Sequence, residues 1–170
     1  MRVHTNKFCK YLILLTFLAL ITFTGCFGKK SEIEIAQETA DTLMECIKNK
    51  DKETIKSLFS PYIEKRYKID DDIDKMFEIL NSPIISDSPA YISASNESTR
   101  DGRVTDSGIA VCKDVIMLEN GERYALVFLL KISNSNEKLI GLHNIIVIEL
   151  DDDDKMVKEI CIVGTKDIVS

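Results

Sequence analysis

No glycine-rich phosphate loop, no Gly-x-Ser-x-Gly elbow and no His-Glu-x-x-His pair occurs in the 170 residues. The signatures of nucleotide binding, of a strained serine nucleophile and of a zinc peptidase are therefore absent. Five cysteines, Cys9, Cys26, Cys46, Cys112 and Cys161, never stand in a CxxC or zinc-finger spacing. Histidine is scarce, with only His4 and His143. Basic residues are outnumbered, 22 Lys plus Arg against 28 Asp plus Glu, and form no stripe. Affinity for nucleic acid comes mainly from neutralising phosphates, so no nucleic-acid partner is expected. Neither a cofactor nor a metal is expected. A membrane-length apolar run is missing too: Tyr11 through Phe27 counts seventeen residues, against about 20 needed to cross a bilayer core.

What stands at the amino terminus is a processing pattern. Arg2, Lys7 and Lys10 precede the uncharged run Tyr11–Thr24, a basic n-region followed by an h-region. Thr24 and Gly25 supply small residues directly before Cys26. This resembles the bacterial lipobox over residues 1–28, with Phe23 where the usual residue is Leu. The resemblance implies cleavage between Gly25 and Cys26 and a diacylglyceryl group, of the palmitate kind, on the Cys26 thiol. The bland alternatives are an uncleaved anchor helix and an ordinary secretory signal with a chance cysteine.

Two acyl chains, at about 0.8 kcal/mol per buried methylene, anchor stably where one chain binds reversibly. The expected partition is a signal peptide over 1–25, a lipidated Cys and short tether over 26–31, one domain over 32–166 and a tail over 167–170. The expected location is the outward-facing side of the cell membrane. Phe27 to Lys30 reach about 14 Å when extended, so Lys29 and Lys30 sit at headgroup height or serve as a solvated linker. Loss of the leader takes the net charge from −6 to −9. If Cys26 is acylated, Cys46, Cys112 and Cys161 cannot all pair; buried free thiols are expected, with one disulfide and one thiol as the alternative.

Helices come first in the mature chain. Ser31 with Glu34 forms a capping box, and Ile33, Ala36, Ala40, Leu43, Met44 and Ile47 recur at steps of three and four, predicting a helix over 32–49. A second helix starts at Asp51, with Ile55, Leu58 and Phe59 inward. Ser60-Pro61 reads as a cap followed by Pro at the first helical position. Asp70 to Asp72 can cap a third substantial helix carrying Ile73, Met76, Phe77 and Leu80, which ends at Asn81-Ser82-Pro83.

The period then changes to two. A weak strand is predicted near Ala90–Asn96, a mobile loop over Ser95–Asp106, and a strand over Ile109–Leu118. Asn120-Gly121 predicts a two-residue hairpin turn. In the next strand Tyr124, Leu126, Phe128, Leu130 and Ile132 alternate with Ala125, Val127, Leu129 and Lys131, so both faces are apolar over most of its length. A polar loop over Ser133–Lys138, a strand over Leu139–Leu150, four aspartates and a strand over Met156–Val163 complete the pattern. Helices followed by an antiparallel meander predict an α+β domain with the helices on one face of a curved sheet.

The first helix, the Asn49-Lys50-Asp51-Lys52-Glu53 turn, the Leu58-Phe59-Ser60 string, the acidic helix ending in Met76-Phe77-Glu78-Ile79-Leu80 and the meander together resemble a family of uncharacterised bacterial lipoproteins. The resemblance covers roughly residues 32–163. It implies the cone-shaped fold of nuclear transport factor two and ketosteroid isomerase, with a cavity at the open end of a sheet wrapped around the first helix. The tail departs from the family: Val163-Gly164-Thr165-Lys166-Asp167 stands where an aromatic-Gly-Asp stretch is usual. Enzymes, binding modules and dimerisation domains all share that fold, so fold alone does not select a function.

Two kinds of function stay open. The first is a non-catalytic, membrane-anchored domain that binds a small ligand or a protein, or pairs with a second copy through an exposed sheet face. The second is a small lyase, isomerase or hydrolase using His143, on the face of Ile145 and Val147, with Asp114, Glu149 or Tyr124 as partner. A spacer for a neighbouring membrane complex is a third option. Asp151 to Asp154 lack the alternating ligands and turn glycine of a calcium loop and read as a solvated turn.

Overall fold

The computed structural model describes residues 30–165; the leader, Gly25, Cys26 and the tail beyond Thr165 lie outside the described residues. Helix α1 (Glu32–Asn49) buries Ala36, Ala40, Leu43, Met44, Cys46 and Ile47. Ile33 begins the same stripe of steps of three and four but is 72% exposed. Lys50 takes a left-handed φ of 54°, the conformation that commonly closes a helix. Its Nζ reaches the carbonyl of Phe77 at 3.1 Å and that of Leu80.

Helix α2 (Lys52–Leu58) is capped by Asp51, which accepts from Thr54 N at 3.0 Å. Helix α3 (Pro61–Arg66) starts with Pro at its first turn and Ser60 as cap. Helix α4 (Ile69–Ile79) begins earlier than the aspartates suggested: Lys68 holds the cap position without a side-chain bond. Asp70, Asp71 and Asp72 sit inside the first turn instead, where their charge favours the helix dipole.

Six antiparallel strands follow: β1 (Ile84–Asp87), β2 (Tyr91–Arg100), β3 (Arg103–Leu118), β4 (Arg123–Asn134), β5 (Gly141–Leu150) and β6 (Met156–Gly164). Their order is β1-β3-β4-β5-β6, with β2 also paired to β3. The sheet is not closed, and the helices cover one face of it, consistent with the cone-shaped α+β fold. Leu126, Phe128 and Leu130 of β4, Ile109 and Val111 of β3, and Leu142, Ile145 and Val147 of β5 meet the helices in one core.

The hydrogen-bond pattern corrects three expectations about connections. Ser95–Asp106 is a hairpin, not a loop: Ser95 pairs with Ile109 and Arg100 with Arg103, around Asp101 and Gly102 at φ of 52° and 72°. Positive φ at both central residues is the turn that suits the twist of paired strands. Asn120-Gly121 belongs to a longer turn, closed by Leu118 N donating to Glu122 O at 2.9 Å, with only Gly121 left-handed. The stretch before β5 opens with a 3-10 turn, Glu137–Leu139, so the strand begins at Gly141. There a side chain would stand 2.8 Å from Ser60 N, which explains the glycine.

Strand β1 is not among the strands that the alternation predicts. It is held by Asp87, whose carboxylate meets Lys48 of α1 at 2.8 Å and Lys113 of β3 at 2.7 Å. Lys113 lies on the core face of β3, only 4% exposed, and its ammonium also donates to Ser88 O at 2.6 Å. A buried ammonium needs such partners.

Candidate functional site

His143 occupies an irregularity of β5. Leu130 faces Leu142 and Leu129 faces Asn144, so His143 is the extra residue of a bulge, a device that re-aims side chains. Simple alternation therefore fails here. Leu142 takes the core position that continues Ile145 and Val147, while the buried ring of His143 lines two hollows at one end of the sheet. Its Nε2 lies 2.8 Å from Leu139 O. A carbonyl only accepts, so Nε2 carries the proton and Nδ1 is a lone-pair acceptor. Burial pushes the imidazole below its ordinary pKa; the Leu139 contact opposes that, and the nearby Lys131 charge adds to it.

Beside it, Lys131 ends the apolar part of β4 with 8% exposure. Its Nζ contacts both oxygens of Asp106, at 2.8 and 3.0 Å, and Asn134 Nδ2 donates to the same carboxylate at 3.0 Å. The Lys131 bond holds the Asp106 carboxyl below its usual range against the opposing effect of burial. Asp106 reaches this point because the β2–β3 hairpin extends the sheet through residues expected to be loop. Lys131 was visible as a lone cation at the end of an apolar run, but its partner was not.

Two cavities share Lys131 and His143. One, of about 210 Å³, lies over Ala94, Gly108 and Ala110 with Leu129 and Asn96 at its edge. The other, of about 460 Å³, is lined by Tyr62, Tyr67, Asn134, Leu139 and Thr165. Tyr67 donates to Thr165 Oγ1 at 3.1 Å across its base.

The remaining candidates stand elsewhere. Tyr124 and Glu149 face each other in register across β4 and β5, at the opposite end of the strands. Six residues of extended chain separate Glu149 from His143, roughly 20 Å. The Tyr124 hydroxyl donates to Glu122 at 3.0 Å, and burial together with that carboxylate pushes its pKa up to about 12. Glu149 pairs with Lys158 at 3.3 Å. Asp114 is exposed and accepts from the Tyr91 hydroxyl at 2.7 Å, which pushes Tyr91 up to about 12. None of the three is brought to His143.

Asp151 turns the chain by accepting from Asp153 N at 3.0 Å and Lys155 N at 2.8 Å. No group of three or more metal-ligating side chains occurs among the described residues. Cys46, Cys112 and Cys161 are free thiols. Cys46 and Cys161 are buried, and burial pushes Cys161 up to about 11. Cys112 is only half-buried, contrary to expectation, because it points to the sheet face away from the helices.

That outer face has an unusual make-up. Cys112, Val127, Ile146 and Ile162 stand side by side across β3, β4, β5 and β6. All four are half-buried and none joins the helix-covered core. Ala125 and Ile148 form the next row. Antiparallel sheets with one solvated side normally alternate apolar with polar residues; here the second side is apolar as well.

Among the described residues no helix is long and apolar enough to cross a membrane. The family model described as "Domain of unknown function (DUF5104)" matches residues 42–150, from within α1 to the end of β5. No curated protein matches the chain.

Proposed function

The chain belongs to the family of the domain of unknown function DUF5104, and from that premise we propose that it is a lipid-anchored, outward-facing binding domain that pairs with a second copy of itself. In this reading the family is one of lipoproteins with the nuclear-transport-factor-two-like cone fold, Cys26 carries the lipid, and the domain performs no chemistry of its own. The observation that carries it is the apolar row Cys112, Val127, Ile146 and Ile162 on the side of the sheet opposite the helices. A row of neighbouring apolar side chains on a sheet face that no helix covers is the kind of patch from which interaction sites are built. A symmetric pairing uses the same patch twice, so one self-complementary face suffices.

The catalytic alternative has less support. The one proton of the His143 ring is donated to a backbone carbonyl, and Asp106, the carboxylate of its cluster, is already held by Lys131 and Asn134.

Thiol crosslinking of the full chain in native membranes tests the pairing, since Cys112 lies on the face and Cys46 and Cys161 are buried. The wild type is expected to give a species of twice the monomer mass. Ile146→Lys abolishes it while leaving the circular dichroism unchanged. A wild type that stays monomeric under the same conditions overturns the proposal.

A further inference from the structure

The smaller hollow exists because three positions on the outer face are nearly without side chains. Ala94 faces Ala110, and Asn96 faces Gly108, across β2 and β3. A side chain at Gly108 would come within 3.0 Å of Asn96 Oδ1 and 3.7 Å of Lys131 Cδ. The result is an apolar floor walled by Lys131 and His143, and through these two it adjoins the larger hollow. Across the two hollows together the charges balance: Lys131 lines both, Asp106 lines the larger, and they neutralise each other at 2.8 Å. A charged guest would lose its hydration with no counter-ion to meet it.

No buried side-chain nitrogen or oxygen among the described residues lacks a partner. The His143 bond to Leu139 uses Nε2, which leaves Nδ1 as the acceptor of a ring that lines both hollows. A neutral imidazole nitrogen without its proton accepts one hydrogen bond and donates none. We propose that these two hollows form one site for a small neutral molecule with a hydroxyl on an apolar body, such as an alkylphenol. The hydroxyl donates to His143 Nδ1 and the body lies over Gly108 and Ala110. At about 210 Å³ the apolar part falls below the roughly 300 Å³ at which pockets for drug-sized molecules begin, so the guest is small. The site does not depend on the lipid anchor.

The test uses the full chain in lipid nanodiscs, with empty nanodiscs subtracted, titrated separately with 4-ethylphenol, ethylbenzene and 4-ethylbenzoate. 4-Ethylphenol is expected to bind about tenfold more tightly than the other two, the worth of one hydrogen bond. His143→Phe lowers its affinity to that of ethylbenzene without changing ethylbenzene binding, and Ala110→Leu, which fills the floor, weakens both about tenfold. In protein labelled with ¹⁵N-histidine, 4-ethylphenol moves the Nδ1 resonance of His143 and ethylbenzene does not; this reading needs no variant and stands if His143→Phe fails to fold. Equal affinity for the three probes, absence of saturable 4-ethylphenol binding, or an unmoved Nδ1 resonance overturns the proposal.

Discussion

Single residues decide whether the His143 end of the sheet keeps its shape. Gly164 has a φ of 94°, and a side chain there would stand 2.5 Å from His143 O. Gly164→Ala is therefore expected to cost more than about 1 kcal/mol, read as a lowered urea midpoint. The sequence marks that glycine only as a departure from an expected tail; its necessity comes from the bulge beside it. His143 itself carries a pH signature. Its folded pKa is below the ordinary 6.5, so as pH falls the unfolded chain takes up a proton before the folded one does. The His143 contribution is complete above roughly pH 6.5 and declines as pH falls toward the folded pKa. Melting temperatures between pH 8 and pH 5 should fall for the wild type, and His143→Gln should flatten that part of the curve. The carboxylates with lowered pKa, Asp87 and Asp106 among them, act at lower pH.

Elements were legible where periodicity is strong and caps are explicit. The helix over 32–49 and the two short helices capped by Asp51 and Ser60 follow from spacing and side-chain chemistry alone. The β2–β3 hairpin was not read, although Asp101-Gly102 carries the same signal as Asn120-Gly121. Its flanks are polar and almost wholly exposed, so the alternation that reveals a strand is missing. Gly102→Val is expected to cost about 1 kcal/mol through the left-handed turn, with faster amide exchange confined to residues near 95–106. Strand β1 is short and is tied in by charge, not by apolar periodicity. Asp87→Ala leaves Lys113 unpaired in the core wall and should cost about 3 kcal/mol. Adding Lys113→Met should recover most of that loss in denaturant titration, because the ammonium left without its counter-ion is then gone.

For the molecule as a whole, two apolar sheet faces pose one question that the fold answers by half. The helices cover the face of Leu126 and Phe128, and the face of Val127 and Ile146 has no helix packed on it among the described elements. A second copy supplies the missing cover in the proposed function. Attachment is a separate prediction. Mass spectrometry of the membrane fraction should find a mature amino terminus at Cys26 with a diacylglyceryl thioether. Cys26→Ser should remove that adduct and the membrane association that survives carbonate washing; an intact leader in the wild type would defeat it.

Local chemistry by itself determined the order of the elements, the division into helices and then strands, and the two apolar faces of β4, because period, caps and turn residues act over a few positions. Tertiary structure decided the site. Lys131 meets Asp106 and His143 only because three strands bring them to one end of the sheet and a bulge in β5 takes His143 out of the strand's alternation. Such a bulge arises from pairing register between strands, which no single stretch of chain encodes.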